Sequence, residues 1–369
     1  MTTPPPLQEP PALELKDLVL RRGDALLDIP ALFLAEGHVL SLIGPNGAGK
    51  STLLLAVASL LKPQRGSLVF KGQKIDLKHD AFAYRRRLAM VFQEPLLFDT
   101  TVYANVAAGL KIRGMGKAES EKRVARNLER FGIAGLAGRS ARKLSGGEAQ
   151  RTSLARAFAT EPEMILLDEP FSALDAPTRE ALTDDLQRIL AETRTTAIFT
   201  THDRWEALRL ADEIAVMNDG KIVQVGLPEE VMNQPRDEFV ASFVGMETIL
   251  TGRVVDNREG TLIVSVSGQE VEALGTARPG ENVICCIRPE NVTISTDHPE
   301  SRTSARNVFP GRVTKITPLG LFEKVNLDCG FFLVAYVTRQ SRENLGLAEG
   351  REITASFKAT AVHVIKRDK

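Results

Sequence analysis

The stretch from Gly44 to Thr52, GPNGAGKST, restricts what this chain can fold into more than any other. It matches G-x-x-x-x-G-K-[ST], in which glycines let backbone N–H groups wrap phosphates, a lysine reaches the terminal phosphates and a hydroxyl faces a divalent ion. Four specified positions arise by accident in only about one chain in a hundred of this length. The surroundings fit as well. His38-Val39-Leu40-Ser41-Leu42-Ile43 reads as a buried parallel strand ending at Gly44, and Ser51 to Lys62 is free of breakers and stops before Pro63, as a helix does. Strand, loop and helix in this order set bound phosphate at a helix N-terminus, where unpaired N–H groups and the dipole favour negative charge.

Around this motif the pattern is that of an α/β protein. Alternation from Leu13 (LELKDLVL) and from Ala25 to Leu34 predicts an antiparallel β layer, and GSLVFKGQKI predicts a hairpin turning at Lys71-Gly72-Gln73. Arg87 to Phe92, Met164 to Leu167 and Thr196 to Thr200 read as short apolar strands. Between the first two of these, Val102 to about Thr160 is helical, broken at Gly114, Gly116, Gly132, Gly135 and Gly138. Leu182, Leu186, Ile189 and Leu190 mark one face of a further helix. Strands alternating with helices imply a mainly parallel sheet covered on both faces, here an α/β P-loop nucleotide-binding domain with a helical subdomain over residues 13–235.

Residues 1–12 are proline-rich and predicted to be a disordered tail, and 236–249 a linker. From Leu250 short β runs dominate and two segments repeat: Gly252-Arg253-Val254 returns as Gly311-Arg312-Val313, and GENVICCIRPENVTI from Gly280 returns as GREITASFKATAVHV from Gly350. Two related units, 250–295 and 304–366, predict an all-β C-terminal domain of small, OB-like barrels over 250–369.

Composition narrows the function classes. Lys plus Arg number 47 and Asp plus Glu 47, so no global field draws the chain to nucleic acid or an anionic membrane surface. Three cysteines, two of them the neighbours Cys285 and Cys286, exclude a disulfide framework or a CxxC metal site. No apolar run approaches the roughly 20 residues of a membrane helix, and no signal-peptide segment opens the chain. The expectation is a cytoplasmic protein that meets a membrane only through partners.

Five further short motifs follow the glycine loop: Gln93 after a strand, LSGGEAQR from Leu144 to Arg151, MILLDEP from Met164 to Pro170, SALD from Ser172 to Asp175, and TTHD from Thr200 to Asp203. In this order they resemble the ATPase subunit of ATP-binding-cassette transporters, over about Leu13 to Pro235. The loop Gly44, Pro45, Asn46, Gly47, Ala48, Gly49, Lys50, Ser51 and Thr52 is then the ATP phosphate cradle. Physically, Asp168 at a strand end suits Mg²⁺, together with Ser51, while Glu169 polarises the attacking water. His202 is placed to stabilise the charge building on the departing phosphoryl group, and Lys50 reaches the phosphates. His38, His79, His298 and His363 are read as structural.

By the same resemblance, Gln93 touches Mg²⁺ or water and reports contact with a membrane subunit. Ser145 is positioned to cap a helix running to about Thr160, with Gly146 and Gly147 exposing N–H groups to an anion. The resemblance makes Ser145, Gly146, Gly147 and Glu148 a second cradle that closes on ATP bound by another copy, implying a head-to-tail homodimer. Glu148 stands where the commonest family form has Gln. Arg22 stands where the family usually places an aromatic residue against adenine. Glu94 to Arg113, rich in Leu, Val and Ala, is where a permease helix docks by resemblance, and is otherwise a core helix. Trp205 is expected to be a packing residue.

The segment from Ser304-Ala305-Arg306-Asn307 to Lys358-Ala359-Thr360 resembles the small oxyanion-binding barrel of molybdate and tungstate proteins. That resemblance implies an oxyanion site at Ser304, Arg306, Thr338 and Lys358, in which two cations balance a dianion and hydroxyls meet its oxygens. The combined expectation is the ATPase subunit of a molybdate or tungstate importer, with oxyanion feedback through the C-terminal domain, working at the cytoplasmic face of the membrane through permease subunits. The alternatives are the same ATPase serving sulfate, sugar, polyamine or iron, an oxyanion sensor or store, and a soluble cassette ATPase of translation or repair.

Overall fold

Alternate residues of each central strand serve two different cores. Leu40, Leu42, Leu166, Ile198 and Met217 face one, shared with the helix Lys50–Val57. Val39, Ile165, Leu167, Ala197 and Phe199 face the other, shared with the helices Val102–Ile112, Lys117–Arg130, Gly146–Ala159 and Ala176–Thr193. Because successive side chains of a strand point to opposite faces, a strand buried on both must be apolar throughout, which is why these segments read as unbroken hydrophobic runs. The computed structural model describes residues 11–23, 25–76, 78–296 and 304–367, and divides the chain between Pro228 and Glu229. His298 and the first ten residues of the expected tail lie outside the described residues.

In the first unit a six-stranded sheet runs Lys221–Gly226, Glu213–Asn218, Val39–Ile43, Thr196–Thr201, Met164–Asp168, Leu88–Val91, parallel except for its first pair. An antiparallel sheet orders Ala25–Leu34, Leu13–Arg22, Arg65–Phe70 and Gln73–Lys74. Ala12 is buried and its carbonyl accepts from Lys71 N at 2.8 Å, so ordered chain begins before Leu13. The helix Ala176–Thr193 starts at Asp175, whose side chain accepts from Thr178 N, and buries Leu182, Leu186, Ile189 and Leu190. Each of these side chains contributes about 1.5–3 kcal/mol by leaving water.

In the second unit the stretch expected as a linker folds: Asp237 caps the helix Glu238–Phe243, and a strand begins at Thr248. The sequence repeat is matched atom for atom in its turns. Gly280 N donates to Val254 O (2.7 Å) as Gly350 N does to Val313 O (2.8 Å), and Val254 N donates to Glu281 O (2.9 Å) as Val313 N does to Arg351 O (2.9 Å). A Cβ at Gly252 would lie 2.5 Å from Val264 Cγ1, and one at Gly311 would lie 2.5 Å from Cys329 Sγ, so both copies need glycine where strands cross closely.

The two copies exchange their closing strands. The strand Thr293–Ser295, closing the first copy, pairs with Glu352–Phe357 of the second, and Val362–Lys366, closing the second, pairs with Asn282–Ile287 of the first. The exchange leaves two five-stranded sheets around one shared core. All three cysteines are free and buried, and burial pushes the Cys285 thiol up to about 12, which keeps it from acting as a thiolate.

Candidate active site

Three adjacent parallel strands, Val39–Ile43, Thr196–Thr201 and Met164–Asp168, end side by side, and the residues that follow them form the site. This is the edge of an open α/β sheet where ligands bind. The loop after the first strand turns back at once: Gly44 has φ 154°, and a Cβ there would lie 2.3 Å from the Met217 carbonyl oxygen. Pro45, Asn46 and Gly47 are exposed, Ala48 is buried, and Gly49, at φ 100°, precedes the helix Lys50–Val57 with its free N–H groups. Lys50 is only 5% exposed, and its Nζ donates to Gly44 O (2.8 Å) and Pro45 O (3.1 Å), so the lysine braces the loop it belongs to. Burial holds its ammonium below the ordinary lysine range, opposed by the Glu169 and Asp168 carboxylates.

At the next strand end, Asp168 Oδ1 accepts from Ser51 Oγ and from Thr200 Oγ1, both at 2.8 Å. Thr200 Oγ1 in turn accepts from Glu169 N at 2.8 Å. One buried hydroxyl thus fixes both acids, which explains how Glu169 keeps φ 42°, a left-handed conformation that costs a non-glycine residue about 1–2 kcal/mol. Glu169 Oε2 lies 3.4 Å from His202 Nδ1. Ser51 and Asp168 present hard oxygen atoms to each other across the loop, a donor set that fits Mg²⁺, which takes one or two protein oxygens and completes its shell from phosphate and water.

Gln93 is elsewhere. Its Nε2 donates to Ser172 Oγ (3.2 Å), and that hydroxyl donates to Glu169 O (3.1 Å), so the structure ties Gln93 to the backbone of Glu169 and not to the Ser51–Asp168 pair it was expected to share. Ser145 caps the helix Gly146–Ala159 in a reciprocal box: Glu148 N donates to Ser145 Oγ (3.3 Å), while Glu148 Oε2 accepts from Ser145 N (2.8 Å) and Oγ (3.0 Å). These bonds, and then the Arg139 guanidinium 3.2 Å away, hold the Glu148 carboxyl below the usual glutamate range. Among the described residues no hydrogen bond joins Ser145, Gly146, Gly147 or Glu148 to the Lys50 cluster.

Several features were missed in the sequence. Thr200 carried no role, although it lies in the TTHD motif. The turn Asp219-Gly220 closes behind the loop: Gly220 N donates to Ala48 O (3.1 Å) and Asp28 N to Gly220 O (2.8 Å). It bounds a cavity of about 290 Å³ beside Gly47, Gly49 and Thr52, walled by Leu26 and Leu27. Arg22 stands exposed at the end of its strand. Trp205, expected to pack, is 75% exposed.

In the second unit Asn307 pairs with Phe357, so the neighbouring Ser304, Arg306 and Lys358 share one end of that strand pair. Thr338 pairs with Phe322, which pairs with Leu319 at the other end of the strand Asn307–Leu319, so a single chain does not gather all four. Thr338 also spends its hydroxyl capping the helix Arg339–Leu345.

A family model described as ABC transporter matches residues 27–172, and one described as TOBE domain matches residues 303–364. The chain is 39% identical to a molybdate/tungstate import ATP-binding protein of Pyrococcus horikoshii, over 89% of this chain and 92% of that one. It is 36% identical to a sulfate/thiosulfate import ATP-binding protein of Thermosynechococcus vestitus, over 87% of this chain and 89% of that one. Among solved structures, CbiO1 of Clostridium perfringens, part of an ABC transporter complex, matches at TM-score 0.57 and 30% identity, covering 65% of this chain and 96% of that one. With relatives at this identity along nearly their whole length and the phosphate loop, paired acids and histidine on adjoining strand ends, the chain belongs to the ATP-binding proteins of the ABC transporter family and is an ATPase.

Proposed function

We propose that this ATPase powers import of molybdate or tungstate through permease subunits at the cytoplasmic face of the membrane. The observation that carries the catalytic half is the shared Thr200 hydroxyl, which holds Asp168 beside Ser51 and fixes the backbone from which Glu169 projects. Mg²⁺ held by Ser51 and Asp168 would supply charge neutralisation between the phosphates. Lys50 and the loop N–H groups bind and orient the β- and γ-phosphates, Glu169 orients and polarises water, and His202, within reach of Glu169, donates to the γ-phosphate. Ser145, Gly146 and Gly147 act on ATP held by a second copy, in a homodimer with two composite sites; the Gly146 and Gly147 N–H groups, which the Ser145–Glu148 cap does not use, support this. The division between Pro228 and Glu229, seven residues before the expected boundary, supports reading the first unit as the ATPase; the regulatory role of 250–369 is part of the proposal.

Permease docking is supported by exposed Leu96, Phe98, Tyr103 and Ile112 around the helix Val102–Ile112. Arg156 on the helix Gly146–Ala159 donates to Leu96 O (2.7 Å), which ties that surface to the helix that begins at the second cradle. No helix among the described residues is long and apolar enough to cross a membrane.

For cargo, the support is the molybdate/tungstate relative and the placement of Arg306 and Lys358 next to the Asn307–Phe357 pair that ends two neighbouring strands. Since Thr338 lies at the other end, an oxyanion would be enclosed by the Ser304, Arg306 and Lys358 set of one copy and the Thr338 end of another. The sulfate/thiosulfate relative favours a second reading, sulfate. Calorimetric titration of the full chain with molybdate, tungstate and sulfate, repeated on Lys358→Ala, separates them. Binding of the first two, lost in the variant, supports the proposal; binding of sulfate alone replaces the cargo, and no binding removes the regulatory site.

A further inference from the structure

Glu206 takes no part in the site as built above, yet one of its polar contacts runs to the turn that carries His202 and the other to an arginine bonded to the Ser172–Asp175 turn. It lies on the helix Arg204–Leu210, directly after His202, and is 8% exposed. Thr201 Oγ1 donates to Glu206 Oε2 and accepts from Asp203 N (2.9 Å), so one hydroxyl pins the chain on both sides of His202. Glu206 Oε1 faces Arg179 Nε at 3.9 Å. Arg179 Nη2 donates to Leu174 O (3.1 Å), inside the Ser172–Asp175 turn whose Ser172 hydroxyl is bonded to Glu169 O. Arg179 Nε itself is buried without a hydrogen-bond partner, so the pair is held close but not closed.

A carboxylate is a costly way to anchor a helix. Burial disfavours its charge, and replacing a buried ion pair by apolar side chains of similar volume is often neutral or stabilising. For packing alone, a leucine of similar volume would serve there without the cost of a buried charge. We infer that Glu206 is a positioning residue for ATP hydrolysis, fixing the turn that carries His202 against the Ser172–Asp175 turn that leads back to Glu169. The inference rests on the reading of His202 given above.

The test uses the full chain with Mg²⁺ and ATP, measuring single-turnover hydrolysis, nucleotide affinity and thermal unfolding for Glu206→Leu, Glu206→Gln, His202→Ala and the double variant Glu206→Leu/His202→Ala. Glu206→Leu is expected to unfold at or above the parental temperature and bind ATP unchanged, yet hydrolyse it about 10–100-fold more slowly, the loss typical of a small misplacement. Glu206→Gln, which still accepts from Thr201, recovers hydrolysis to within roughly threefold of the parent, on the same basis that geometry and not charge is at stake. In the His202→Ala background the leucine adds no further loss, because residues acting as a unit are non-additive. Parental hydrolysis in Glu206→Leu alongside a slowed His202→Ala overturns the inference alone, as does a full further loss in the double variant. Parental hydrolysis in His202→Ala overturns the His202 reading and the inference with it.

Discussion

Replacing Thr200 by valine keeps the side-chain volume and deletes one oxygen. That oxygen is fully buried, donates to Asp168 Oδ1 and accepts from Glu169 N. Leaving a buried N–H without a partner costs about 1–3 kcal/mol, and a hydrogen bond to a carboxylate is worth about 1.5–3 kcal/mol. Asp168 keeps its bond from Ser51, and the two losses share a site, so we expect roughly 2–4 kcal/mol in all, below the simple sum. For a unit of this size that corresponds to a fall in Tm of roughly 5–15 °C. Catalysis should suffer separately. With Glu169 no longer held in its left-handed conformation, kcat should drop about 10–100-fold, while ATP affinity measured without Mg²⁺ changes little, because the hydroxyl's hydrogen-bond partners are Asp168 and Glu169 and not the phosphate loop. Thr200→Ser, which keeps the hydroxyl and loses a methyl worth about 1 kcal/mol, is the control and should hydrolyse ATP near the parental rate. Melting followed by circular dichroism and a coupled ATPase assay measure both effects. A valine variant with parental kcat and a lowered Tm would mean the hydroxyl is structural only, and parental values for both would refute the assignment.

Glu169→Gln should bind ATP as the parent does and hydrolyse it at under about 1% of the rate, since the amide no longer polarises water; fluorescent-nucleotide titration with phosphate release measures both, and normal turnover would remove Glu169 from the mechanism. The Glu148 carboxyl is held low by its bonds to Ser145, so its stabilisation of the helix Gly146–Ala159 is fully present above the ordinary glutamate range and is lost as pH falls through its lowered folded value. Acid unfolding of Glu148→Gln should therefore start from a lower stability at neutral pH and show a shallower decline on the acid side than the parent; parallel curves would contradict the linkage.

Features closed within a short stretch of chain were legible in the sequence. The phosphate loop is one, because strand, glycines, lysine and helix N-terminus are consecutive, and the Ser145 cap is another, because it lies directly before the helix it starts; that Glu148 answers it in a reciprocal box came only with the structure. The apolar runs revealed the parallel sheet, since a strand buried on both faces cannot alternate. Repetition revealed the two copies in the second unit, down to Gly252 and Gly311.

What the sequence left undecided depends on which strands become neighbours. Asp168 lies opposite Thr200 only because Met164–Asp168 pairs in parallel with Thr196–Thr201, and the same register makes a motif threonine the support of both acids. The turn Asp219-Gly220 reaches the phosphate loop because its strand lies beside Val39–Ile43. In the second unit the closing strands exchange between copies, which no repeat pattern records, since either partner would bury the same alternating residues. The chain's own motifs determined an ATP site and its chemistry; long-range pairing decided which hydroxyls and carboxylates hold that site in place, because hydrogen-bond register between distant strands is set by the packing of the whole core and by no short stretch within it.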